Sequence, residues 1–131
     1  MKYILIVLIL LHVNIFADEH EYEEYHAKRH ISKELSHLQL TKEQKREIKK
    51  ILKEYRYALK EYRELKEEIE EKREMLFLKE RFNTKKLNRL NGILDEKAHK
   101  IENDFLSKIH SVLNREQRKR FIYYFDDWEV K

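Results

Sequence analysis

Between residues 42 and 80 the apolar positions Ile48, Ile51, Tyr55, Ala58, Tyr62, Leu65, Ile69 and Leu76 recur at heptad spacing. Leu52 and Leu59 widen the stripe, and only Lys72 interrupts it. The pattern predicts a helix from about 42 to 80, opened by the capping box Thr41-Lys42-Glu43-Gln44. At 1.5 Å per residue it is roughly 58 Å long, whereas a compact chain of this size has a radius of gyration near ~13 Å. A second stripe, Leu87, Leu90, Leu94, Ala98, Ile101, Phe105, Ile109 and Val112, follows a cap at Asn83 or Thr84. Its 3-4-4 steps favour a straight or slightly right-handed path, and Gly92 within it marks either close packing or a kink. Asn114-Arg115-Glu116-Gln117 caps a short last helix ending near Phe125. A weaker apolar side, Tyr22, Tyr25, Ile31, Leu35 and Leu38, predicts an N-terminal helix over roughly 22–37. The expected fold class is all-α: four helices with a long antiparallel helical hairpin, one apolar seam and no closed core. So thin a body leaves Tyr57, Tyr62, Phe77, Tyr123, Tyr124 and Trp128 partly uncovered, and pairing two copies as a homodimer answers that.

Composition narrows the chemistry. The 131 residues are 41% apolar and 41% charged, with one Gly, no Pro and no Cys. Sheets lack their turn residues here, and disulfides, thiolate metal sites and Gly-rich phosphate loops are excluded. No Ser/His/Asp arrangement stands out from the charged background, so no enzyme is expected. Residues 1–17, a short positive start and an apolar run closed by Ala17 before the acidic Asp18, read as a secretory signal peptide. Ile15 stands where a small residue is usual. The rival, an uncleaved anchor, is short of the ~20 residues a span needs, and His12 and Asn14 interrupt it. Residues 18–131 then form a single exported, periplasmic domain that meets the membrane only through its leader. Residues 18–25 hold five carboxylates and no cation; residues 26–131 carry twenty-eight cations against twenty carboxylates, net +8. An exported chain meets little nucleic acid, so the balance reads as a salt-bridged surface or as attraction for acidic protein segments or lipid headgroups.

Two segments repeat each other. Leu40-Thr41-Lys42-Glu43-Gln44 aligns with Leu113-Asn114-Arg115-Glu116-Gln117, and two cations follow each Gln. Physically, Leu40, Thr41, Gln44 and Leu113, Asn114, Gln117 start helices, and neither copy is a catalytic site. Leu-Thr-x-x-Gln twice, about seventy residues apart in a small exported helical chain, resembles the Spy/CpxP family of periplasmic stress proteins over residues 35–125. The second copy departs in having Asn114 for Thr, a swap that capping tolerates. The resemblance implies a cradle-shaped antiparallel dimer. Its members range over ATP-independent chaperones, a stress-sensor inhibitor, zinc-responsive proteins and metal sensors.

Two functions follow as expectations. The first is a chaperone or envelope-stress regulator that binds unfolded clients or a membrane-bound stress sensor, through Tyr55, Arg56, Tyr62, Arg118, Phe121 and Tyr124. The alternative is a periplasmic heavy-metal sensor or metal-resistance accessory protein. Glu19, Glu23, His26, His30, Glu34 and His37 share one helical stripe. His26 and His30, at i and i+4, can hold Zn²⁺, Ni²⁺ or Cu²⁺, with Glu23, Glu34 or His37 completing the site. The plain alternative is a solvated polar face, and no cofactor is required. The resemblance to the metal-sensor branch is incomplete: His110 is followed four residues later by Asn114 rather than Met. His99 and His110 share a face beside the apolar stripe and read as partly buried structural residues.

Overall fold

The computed structural model describes residues 35–131, which are mostly helical with no strand among them. The expected signal peptide and nearly all of the expected N-terminal helix lie outside the described residues. The chain divides into two units, Met1–Gln39 and Leu40–Lys131. Of the first, residues 35–39 are described: Leu35 and Ser36 are helical, Leu38 N–H donates to Leu35 O at 3.2 Å, and Gln39 turns through the left-handed region at φ 51°.

In the second unit, α1 (Lys42–Phe77) and α2 (Thr84–Val112) are joined by residues 78–83. Both begin as the sequence predicts: Thr41 and Gln44 form the reciprocal capping box, and Asn83 accepts from Lys86 N–H. At 1.5 Å per residue the helices are about 54 and 43 Å long. They pack on each other with numbers running in opposite senses, since Glu61 pairs with Lys97 and Glu54 with Lys108. Ile48, Ile51, Leu52, Tyr55, Tyr62, Ile69 and Leu76 are buried from α1, and Leu90, Leu94, Ala98, Ile101, Phe105 and Ile109 from α2. Helix α1 stops at Phe77 rather than near 80, because the chain needs the residues from Leu78 to Asn83 to reverse onto its own apolar stripe. Gly92 is exposed and a Cβ there would meet nothing within 4 Å, which removes close packing as its reason.

The end of the chain departs most from expectation. Helix α3 (Arg115–Phe121) gives way to a 3-10 segment, Ile122–Trp128, with Tyr124 at φ −114°, ψ 15°. The kink carries Trp128 back onto α1 and α2. Its ring lies 4.5 Å from Phe105, 6.0 Å from Tyr55 and 6.0 Å from Phe121, centroid to centroid, and Tyr55 and Phe105 are 4.4 Å apart. The expectation of a single seam with no closed core is therefore corrected: four aromatic rings close a core over one stretch of the helix pair. Trp128 and Tyr62, expected partly uncovered, are 2% and 7% exposed. Aromatic burial of this kind dominates the energetics of a small core.

Candidate functional site

The two capping boxes meet. Thr41 and Asn114 sit at the N-termini of α1 and α3, 73 residues apart in sequence. In each box the Gln Oε1 accepts from the backbone N–H of its own cap residue, at 3.0 Å in both. The two Gln side chains then join amide to amide. Gln44 Nε2 donates to Gln117 Oε1 at 2.8 Å, and Gln117 Nε2 donates to Gln44 Oε1 at 3.0 Å. The second Nε2 hydrogen of Gln44 goes to Val112 O at 2.9 Å, one of the carbonyls left open at the end of α2. Gln44 thus uses both donors and both acceptor positions of its amide. Gln117 is buried, where an unpaired amide would be costly.

Arg118 belongs to the same junction. Its Nε and Nη2 donate to His110 O at 3.1 and 2.8 Å, so a planar cation closes the negative end of α2. The tail is held by two further bonds. Tyr55 Oη donates to Trp128 O at 3.1 Å, and Val130 N–H donates to Glu102 Oε1 at 2.6 Å. Burial, with the Glu102 charge adding to it, pushes the Tyr55 hydroxyl up to about 12.

Beside the junction a groove of about 510 Å³ opens between α2 and the tail. Ile109, Leu113 and Phe121 form its buried floor, while Ile122 and Phe125 stand 64% and 47% exposed at its edge. Its polar margin is Ser107, His110 and Arg118. A second groove, about 280 Å³, follows the seam of α1 and α2. The pairs Glu61–Lys97 and Glu54–Lys108, at 3.6 and 2.8 Å, cross it.

These positions redistribute the residues expected to meet clients. Tyr55, Tyr62 and Phe121 are buried, which takes them off the surface: their apolar faces lie against the helix pair. Arg56 and Tyr124 are half-buried, and Arg118 is engaged with α2. The sequence argument overlooked Ile122 and Phe125, for which the break in helical periodicity after Phe121 was the available signal. His99 and His110 are exposed, contrary to the structural role expected of them, since the buried stripe passes through Ala98 and Ile109. His37 is exposed; Glu23, His26, His30 and Glu34 lie outside the described residues. Among the described residues no group of three or more His, Cys, Asp or Glu side chains is placed to hold a metal. No helix among them is long and apolar enough to cross a membrane. No protein-family model, curated protein or solved structure matches the chain.

Proposed function

We propose that this chain is an exported, periplasmic stress protein of the Spy/CpxP kind that binds unfolded proteins without ATP, as a homodimer of long helical hairpins forming a cradle. The observation that carries the reading is the open groove of Ile109, Leu113, Phe121, Ile122 and Phe125 beside Arg118 and His110. It offers apolar contact at an edge left in water, next to the Arg118 cation that attracts acidic segments. The interlocked capping boxes support the resemblance on which the family reading rests, because both Leu-x-x-x-Gln repeats act in one joint. Light scattering from an aggregating client tests it. Suppression should weaken with salt and should fall in Ile122→Ser/Phe125→Ser. No suppression by the native chain at either of two salt concentrations refutes the reading.

A second reading, a periplasmic metal sensor or resistance accessory protein, rests on the His26-x-x-x-His30 pair. It calls for Zn²⁺ or Ni²⁺ binding that declines below about pH 6 as imidazole protonates. Calorimetric titration of the native chain beside His26→Ala/His30→Ala decides it, and equal affinity in the two discards the site.

A further inference from the structure

The turn joining α1 to α2 lies at the opposite end of the helix pair from the amide junction. There Met75, Phe77, Leu78 and Phe82 are 61%, 78%, 78% and 52% exposed. The Phe77 and Phe82 rings meet edge to face with centroids 6.2 Å apart, so the turn presents one apolar wedge rather than scattered side chains. Such a cluster left in water calls for a partner.

The charge around the wedge says which chemistry. Residues 72–89 contain seven cations and two carboxylates, net +5. Lys72 is paired with Glu68. Arg73, Lys79, Arg81, Lys85, Lys86 and Arg89 make no ion pair among the described residues. Elsewhere on these helices lysines do find carboxylates: Lys50–Glu47 at 3.1 Å, Lys97–Glu61 at 3.6 Å and Lys119–Glu116 at 2.9 Å. Cations without an ion pair among the described residues occur elsewhere on the helices too, Lys49, Lys53 and Lys100 among them; what sets the turn apart is that its local excess of five positive charges surrounds an exposed apolar cluster.

We propose that this turn docks on an anionic lipid surface. Phe77, Leu78 and Phe82 enter the boundary between headgroups and acyl chains, and the surrounding lysines and arginines sit against lipid phosphates. A bilayer is favoured over an acidic protein because the turn joins an apolar tip to its charge, and acidic segments would answer only the charge. The two grooves described above lie along the helix seam and beside the tail, and neither includes a residue of 72–89. Exposed apolar side chains ringed by cations match the layering of a membrane interface, with acyl chains beneath a plane of phosphates. This contact is separate from the leader and from the client groove, and it departs from the expectation that the membrane is met only through the signal peptide.

The test uses the full chain carrying Phe82→Trp, with the parent chain measured alongside to subtract the signal of buried Trp128. Vesicles of phosphatidylcholine, with and without phosphatidylglycerol, are the probe. The expected result is a blue-shifted emission, quenched by brominated acyl chains, on the anionic vesicles only and reversed by high salt. In the same background, Arg81→Glu/Lys85→Glu/Lys86→Glu should bind more than about tenfold more weakly. Phe77→Ser/Leu78→Ser should abolish the quenching while circular dichroism reports unchanged helix, since all these side chains are exposed. The proposal is overturned by the absence of shift and quenching on anionic vesicles, or by equal binding of the charge-reversed chain. A preference for polyglutamate over the vesicles overturns it too, and assigns the turn to an acidic protein. If the serine variant loses helix, the charge-reversed chain alone decides.

Discussion

The amide junction makes a quantitative prediction about coupling between the starts of two helices. Gln44→Ala removes the Gln44 acceptor used by Thr41 N–H, the bond to Val112 O and both amide–amide bonds. Gln117→Ala removes the acceptor used by Asn114 N–H and the same two amide–amide bonds. A hydrogen bond in a folded chain is worth about 1 ± 0.5 kcal/mol net, and a buried group left unpaired costs about 1–3 kcal/mol. Each single substitution should therefore cost roughly 2–4 kcal/mol, Gln117→Ala toward the upper end because its site is buried. The two shared bonds are counted in both singles but lost only once in the double variant. The double should thus be less destabilised than the sum by about 1–2 kcal/mol. Urea unfolding followed by circular dichroism at 222 nm, at one fixed protein concentration so that association contributes equally, measures all four corners of the cycle. Additivity within about 0.3 kcal/mol would mean that the two boxes cap their helices independently and that the joint carries no energy.

Two further outcomes follow from single sites. Gly92 is exposed within α2 with open space where a Cβ would go, so Gly92→Ala should stabilise by up to about 1 kcal/mol; an unchanged or lower melting temperature contradicts that. Tyr55 keeps its proton in the folded chain to about pH 12, against 10.0 when unfolded. Its contribution is complete below pH 10 and is lost as pH rises toward 12, where the folded state holds a proton the unfolded state has released. Burial, with Asp95, Glu102 and Glu70 nearby, raises Tyr62 as well. In absorbance titration at 295 nm a late-titrating fraction should therefore appear and shrink by one tyrosine in Tyr55→Phe; a curve unaffected by that substitution refutes the assignment.

What the sequence disclosed was local. Thr41, Asn83 and Asn114 announce helix starts because capping is decided within four residues, and the stripes through Ile48–Leu76 and Leu90–Ile109 reveal buried faces because periodicity is read along one element. What escaped was set by residues far apart. Nothing near Gln44 signals that its amide meets Gln117, although equal boxes at two helix starts could have suggested a pair. Trp128 looked exposed because it follows a stretch with no helical stripe; its burial depends on Phe105 and Tyr55, two other elements away. Arg118 read as a surface cation, yet the open carbonyls at the end of α2 recruited it. Tyr55 and Tyr62 carried the heptad signal of core positions, and the arginines beside them, Arg56 and Arg63, invited a surface reading that burial corrects.

The Gln44–Gln117 contact also limits how such a chain can change length. With 3.6 residues per turn, inserting one residue in α2 swings Asn114 and all that follows by about 100° about the helix axis, and the two amides no longer face each other. Duplications or deletions can survive only as compensated steps, near whole turns in both α1 and α2, with the difference absorbed where the chain reverses at residues 78–83. The spacing measured back from the joint is metrically locked.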